Sequence, residues 1–271
     1  MAIVAKSANP WWRRLHHAWL ALAGRQRHKS NQTLFVDFDG LRIKQVAFPD
    51  SAEAGRVELL LRETDALGLF PGFVFRLENT VWVHFVPGHK PGPGTSSDIA
   101  AMTGFFSRLY QARPVQRRLE QTDLHARLLE HLRVLAAVGR LDGERVSALE
   151  ELAERIRPEQ VWMGLDYIDA LAKNFIISDG RAVGIDIEAI HDGLLLGMGL
   201  AKARYRWLDE QADSMIEQLG KQGGPDLRPQ WAYTRLVFLA SYGVQNLMRG
   251  KTGKIQVDAY DALLGEKPYP A

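Results

Sequence analysis

Asp169, Asn174 and Asp186 stand as an acid, an amide five positions later and a second acid beyond a short strand–turn–strand stretch. Residues of those types, so ordered, suit phosphoryl transfer. One carboxylate orients an attacking hydroxyl, while an amide oxygen and a second carboxylate hold magnesium on a polyphosphate, because magnesium prefers hard oxygen ligands. The protein does little covalent work in such a reaction, so catalysis is positioning plus neutralisation of charge. On this reading Asp169 accepts a hydrogen bond from the hydroxyl, and Asn174 and Asp186 bind the metal. An acid–amide pair five apart is common by chance in a chain of 271 residues. Its weight therefore depends on the elements that would position it.

The pattern predicts β-strands over 33–38 and 41–48 around Asp39-Gly40, a strong hairpin signal. A helix is expected over 56–69, where Val57, Leu60, Leu61 and Ala66 recur at helical intervals until Pro71-Gly72 stops it. Strands over 73–77 and 81–86 follow, then Pro87-Gly88 and a Pro- and Gly-rich stretch over 89–97 that reads as a linker. Beyond it the character is helical, over 98–110, 123–138 and 147–156, with Asp98 and Asp123 placed as N-caps. β-structure is expected to return only over 175–177 and 182–185, flanking Ser178-Asp179-Gly180-Arg181. Helices resume to the C-terminus, broken over 220–229. Lys202-Ala203-Arg204-Tyr205-Arg206-Trp207 reads as an exposed helix face, with an anion contact as its functional alternative. Asp166 reads as a capping or surface acid.

Tyr167-Ile168-Asp169-Ala170-Leu171-Ala172-Lys173-Asn174 resembles the catalytic loop of the protein-kinase-like superfamily, and Asp186-Ile187-Glu188 resembles its metal-binding triplet. Tyr167 stands where the common pattern has a histidine that braces the loop. The acidic third position of the triplet is similar to the small-molecule branch, which includes aminoglycoside and choline kinase-like proteins and lipopolysaccharide-core kinases. The resemblance extends over roughly residues 33–245 and implies an α+β, two-lobed fold: a small antiparallel β-sheet lobe with one helix, then a mainly helical lobe. It also implies that Lys44 pairs with phosphate, that Glu63 anchors Lys44 with Glu58 as its competitor, and that the backbone at Phe85 and Val86 takes the adenine edge. The implied domains are 1–28, an N-terminal basic helix; 29–88, the sheet lobe; and 89–271, the helical lobe. ATP and Mg2+ are the implied cofactors, and a small molecule or the sugar of a glycolipid such as lipopolysaccharide core is the implied acceptor.

Composition sets outer bounds. With 46% hydrophobic and 24% charged residues the chain suits a globular protein. A net charge of +2, from 34 basic and 32 acidic residues, does not advertise a nucleic-acid partner. No cysteine is present, so thiolate metal sites, disulfides and cysteine nucleophiles are excluded, and a cytoplasmic location is the default expectation. No apolar run approaches the roughly 20 residues that span a bilayer. Trp11, Trp12, Leu15, Trp19 and Leu22 recur at helical spacing among arginines and histidines, which describes an amphipathic helix. Such a helix either packs on the body or lies on an anionic membrane surface, as a peripheral contact at the inner face. Three rival readings stand beside a kinase: a nucleotide-binding pseudokinase, a transferase of nucleotide monophosphate, and a membrane-docking or assembly module.

Overall fold

The computed structural model describes residues 32–38, 40–251 and 257–266. The N-terminal amphipathic helix and the extreme C-terminal residues of the sequence reading lie outside them. The chain divides into two compact units, the first extending to Asp65 and including Pro71–Phe85, the second comprising Ala66–Phe70 and the chain from Val86 onward.

The first unit is one four-stranded antiparallel sheet with a helix. Strands β1 (Gln32–Phe38), β2 (Leu41–Ala47), β3 (Phe73–Leu77) and β4 (Thr80–His84) lie in the order β1-β2-β4-β3. Phe38 pairs with Leu41 across the predicted two-residue turn, where Gly40 has φ +76°. Helix α1 (Ser51–Thr64) begins five residues earlier than its apolar spacing suggests, because Asp50 caps it by accepting the Glu53 N–H at 2.8 Å. Val57, Leu60 and Leu61 of α1 are buried with Ile43, Val46, Val81 and Val83 of the strands.

The second unit is mainly helical but carries more β-structure than its sequence suggests. Helices α2 (Ser96–Gln111), α3 (Leu124–Ala137) and α4 (Gly143–Arg155) appear close to their expected positions. Asp123 precedes α3 without a side-chain cap bond. Asp98 is not the N-cap of α2, which is Thr95; it lies inside the first turn and accepts the Gly92 N–H at 3.0 Å and a bond from His89 at 3.2 Å. Those bonds make the stretch after Pro87 a pinned segment instead of a free linker. His89 also exchanges backbone bonds with Ile177, and Gln211 donates to the Pro93 carbonyl at 2.8 Å. A three-stranded sheet that periodicity missed, β5 (Val115–Arg118), β6 (Gln160–Tyr167) and β9 (Ile190–Leu195), runs in the order β5-β6-β9. The expected hairpin is present as β7 (Phe175–Ser178) and β8 (Arg181–Gly184), with Asp179 and Gly180 both at positive φ as a type I′ turn requires.

The remaining α-helices among the described residues are α5 (Met198–Ala203), α6 (Gln211–Lys221), α7 (Arg228–Met248) and α8 (Val257–Gly265). α7 is buried on most of its surface, including Trp231, Tyr233, Leu236 and Leu239. Its Arg235, only 2% exposed, is held by both carboxylate oxygens of the half-buried Glu266 just past α8, so that α8 docks through an ion pair buried on its arginine side. An aromatic cluster ties α2 to the strand that leads into the candidate site. Phe105 meets Phe70, Phe106, Tyr167 and Phe175 edge-to-face at 5.1–5.8 Å between ring centroids, and all five rings are buried.

Candidate active site

Strand β6 ends in Tyr167, and the chain then turns through Asp169 and Ala170 into a single 3-10 turn over Ala172–Asn174 before β7. This loop is closed on itself. The Asn174 amide donates both to the Asp169 carboxylate, at 2.7 Å, and to the Asp169 main-chain carbonyl, at 2.8 Å. With its nitrogen so used, Asn174 keeps its side-chain oxygen for another partner.

Asp186 follows β8 and joins the same assembly through the backbone. Its N–H donates to the Tyr167 hydroxyl at 2.9 Å, and that hydroxyl donates to the Asn174 carbonyl at 3.1 Å. The neighbouring Ile185 N–H donates to the same carbonyl at 2.8 Å. A wholly buried tyrosine thus braces the loop from the position where the common kinase pattern has a histidine. Burial first, then the charges of Asp186, Asp169 and Glu188, hold the Tyr167 phenol well above its usual range, so it remains protonated and able to donate. Tyr167→Phe is expected to leave the Asp186 N–H unsatisfied. A stability loss of about 1–3 kcal/mol should appear as a lower denaturant midpoint with an unchanged slope.

Asp166 is neither a surface acid nor a local cap. It is fully buried and accepts bonds from the Tyr110 hydroxyl at 3.2 Å, the Tyr167 N–H at 2.7 Å and the Gly199 N–H at 3.2 Å. Gly199 lies in the first turn of α5, so the acid caps a helix thirty-odd residues away and fastens it to the end of β6, next to the Asp169 loop. Burial raises its carboxyl from 3.8 to about 6, against the pull of those donors. A group raised on folding contributes stability that is complete below the unfolded pKa and is lost as pH climbs through the folded one. From this group the protein is therefore expected to lose on the order of 3 kcal/mol between pH 4 and pH 6.5. Unfolding curves across that range should show the slope in the wild type and a flatter one in Asp166→Asn.

Lys202 of α5 forms an ion pair with Asp169, on the carboxylate oxygen opposite the one that Asn174 holds. The pair is only partly exposed, 15% for Lys202 and 31% for Asp169. Trp207 donates its indole N–H to the Ala170 carbonyl at 2.9 Å. The segment 202–207 is accordingly no exposed helix face: it braces the loop, and only Arg206 among its basic residues is exposed. Arg204 turns away to pair with Asp213 at 2.9 Å. The geometry depends on a π-helical turn over Arg204–Leu208. In a regular α-helix, residues five apart point about 140° apart; the wider turn swings Trp207 back beside Lys202. Burial pushes the Asp169 carboxyl up, but the bond and charge of Lys202, the Asn174 bond and the charge of Lys173 outweigh it and leave it below the usual carboxylate range.

The other residues singled out in the sequence belong to the first unit or to the junction. Lys44 is half-buried on the central strand β2, paired with Phe35 on one side and Val83 on the other. Glu63 is exposed near the end of α1. Glu58, its competitor, has its carboxylate engaged by Arg76 at 2.6 Å and Arg62 at 3.0 Å. Phe85 is the last residue of the first unit, and at Val86 the chain returns to the second. Gly88, next along, has no room for a side chain, since a Cβ there would stand 2.2 Å from the Ile177 carbonyl oxygen. Among the described residues no helix is long and apolar enough to cross a membrane. No group of three or more His, Asp or Glu among them converges into a metal cage.

A sheet unit with one helix, followed by a mainly helical unit carrying an Asp–Asn loop and a second acid after a hairpin, defines the protein-kinase-like fold. Solved structures bear this out. The chain resembles a thermostable mutant of aminoglycoside phosphotransferase APH(4)-Ia in a ternary complex with ADP and hygromycin B, at 13% identity and a TM-score of 0.60, over 88% of this chain and 91% of that one. It also resembles a putative fructosamine-3-kinase from Thermobifida fusca YX-ER1, at 21% identity and a TM-score of 0.59, over 89% and 92%. A third likeness is macrolide 2'-phosphotransferase MphH from Brachybacterium faecium, at 15% identity and a TM-score of 0.56, over 94% and 99%. No family model and no curated protein matches the sequence.

Proposed function

We propose that this protein is an ATP- and magnesium-dependent phosphotransferase acting on a hydroxyl of a small molecule. The observation that carries the reading is the closed loop in which Asn174 bonds the Asp169 carboxylate while the Tyr167 hydroxyl joins Asn174 to Asp186. Asp169 and Asn174 are thereby tied through their side chains and Asp186 through its backbone into one hydrogen-bonded frame, which supports the preorganisation such catalysis depends on.

Asp169 accepts the hydrogen bond of the acceptor hydroxyl and aims its oxygen at the terminal phosphorus of ATP. As the new O–P bond forms, the bond from that phosphorus to the bridging oxygen breaks, its electron pair leaves on ADP, and the hydroxyl proton passes through Asp169 to solvent. A carboxylate held below the usual range is a weak proton acceptor but a good orienting one, which suits a loose transition state in which proton transfer comes late. The Asn174 side-chain oxygen and the Asp186 carboxylate would hold magnesium, which supplies charge neutralisation on the phosphates. Lys44, with Glu63 on the following helix, would contact phosphate, and the backbone at Phe85 and Val86 would meet the adenine. The finer acceptor reading is a glycolipid sugar such as lipopolysaccharide core, reached from an anionic inner-membrane surface through the N-terminal amphipathic helix.

The test is ATP turnover by purified protein with magnesium, with product analysis and Asp169→Ala as control. Phosphate on an acceptor, together with ADP, supports the reading. Nucleotide binding that no acceptor or water ever converts to turnover makes the protein a pseudokinase. AMP on the acceptor makes it a nucleotidyl transferase. Liposome flotation with and without residues 1–28 tests the membrane reading separately.

A further inference from the structure

Lys202 has no counterpart among the parts that phosphoryl transfer requires, yet its ammonium sits on the carboxylate to which the acceptor must come. Resting on the phosphotransferase reading, we propose that Lys202 sets acceptor specificity: it excludes acceptors that bring a cation to Asp169 and favours hydroxyl compounds carrying a carboxylate or phosphate beside the reacting group.

An ionised carboxylate offers about four lone-pair sites. In Asp169 one oxygen takes the Lys202 ammonium and the other the Asn174 amide, so an incoming hydroxyl bonds the carboxylate with both neighbours in place. It then lies within a few ångströms of a positive charge. The ammonium has three donors, one of them directed at Asp169, and is therefore equipped to bond an anionic group on the acceptor. A cationic acceptor meets the opposite situation. Its charge either stands against Lys202 or displaces it from a pair that is largely shielded from water. Like charges a few ångströms apart repel, and more strongly where water is partly excluded.

Lys202 is not free to swing aside. Its ammonium lies 5.3 Å from the centre of the Tyr242 ring, a cation–π contact on α7, and its helix is fastened at its start by Asp166 and beyond its end by Trp207 on the Ala170 carbonyl. Lys173 adds a second positive charge acting on Asp169 from the loop itself. The acceptor side of the loop thus answers a cation with cations already in residence.

Three sugars that share one hydroxyl frame and differ in the charge of one substituent supply the test: glucuronate, glucose and glucosamine. Transfer of the terminal phosphate of ATP to each, as kcat/KM, is compared with hydrolysis to water in the wild type, Lys202→Met and Lys202→Arg, with melting temperatures as a folding control. The expected order is glucuronate, glucose, glucosamine, with at least tenfold between the ends. That spread should collapse to within about threefold in Lys202→Met and persist in Lys202→Arg, a pattern that general destabilisation does not produce. A wild type that prefers glucosamine, or an undiminished spread in Lys202→Met, overturns the assignment and leaves the phosphotransferase reading standing. ATP hydrolysis to water that none of the sugars stimulates also counts against the assignment. If ATP is consumed under none of these conditions, the phosphotransferase reading falls and the role of Lys202 falls with it.

Discussion

Asp169→Ala should lower phosphoryl transfer by roughly 10²–10⁴-fold, the range by which a positioned acid–base group accelerates proton-coupled steps, while ATP affinity changes by no more than a few-fold. The asymmetry follows from where the side chain points. Both of its oxygens are held, by Lys202 and by Asn174, and on the proposed function this carboxylate meets the acceptor and not the nucleotide. Removing the carboxylate leaves the Lys202 ammonium without its partner in a place only 15% exposed, so a moderate loss of stability accompanies the loss of activity. Asn174 loses less, because the Asp169 main-chain carbonyl still accepts its amide. Asp169→Asn keeps the shape of the side chain but removes its charge, and it should lose nearly as much activity. Initial rates and nucleotide titrations on both variants, beside their melting curves, separate chemistry from folding. An alanine variant that keeps a tenth or more of wild-type transfer would refute the role given to Asp169.

Gly199→Ala is the second large effect, and nothing in it touches substrate. A Cβ at this position would stand 2.1 Å from the Tyr167 carbonyl oxygen and 2.8 Å from the Asp166 carboxylate. Neither neighbour yields cheaply: one is backbone of the strand that carries the loop, the other a fully buried acid whose bonds depend on its position. The start of α5 must therefore move off β6, breaking the bond from the Gly199 N–H to Asp166 and drawing Lys202 and Trp207 away from Asp169 and Ala170. Overpacking usually costs about 1–3 kcal/mol, and a lost bond to a buried charge adds about 1.5–3 kcal/mol. Displacement of the loop by about 1 Å is enough to cost roughly 10²-fold in rate. Denaturant unfolding and steady-state rates on this one variant measure both effects. Retention of full activity within 0.5 kcal/mol of wild-type stability would mean that α5 does not position the loop.

Much of this architecture was legible in local pattern. Asp39-Gly40 and Asp179-Gly180 mark hairpins because glycine lacks a Cβ and aspartate tolerates positive φ better than most residues, and strands pair on either side of both dipeptides. α1, α3 and α4 announce themselves by apolar period, because each buries mainly one stripe. The sheet of β5, β6 and β9 left no such trace. All four residues of β5 are exposed, so no alternation develops. β6 has its register shifted between Gly164 and Asp166, and a charged residue takes one of its buried positions. A period-2 signal cannot survive a bulge and a buried acid within eight residues.

The sequence alone marked the first sheet, the helices α2 to α4 and the β7–β8 hairpin, and it singled out Asp169, Asn174 and Asp186 as candidates, because spacing within one loop and across one hairpin is a local property of the chain. Tertiary structure decided what surrounds them. Asp166 became a buried cap for a distant helix, Tyr167 a bridge between two loops, and Lys202 the partner of Asp169, although each is unremarkable among its sequence neighbours. The physical reason is range: hydrogen bonds and ion pairs act over about 3–4 Å, and which groups 33 residues apart come that close depends on how α5 packs against β6.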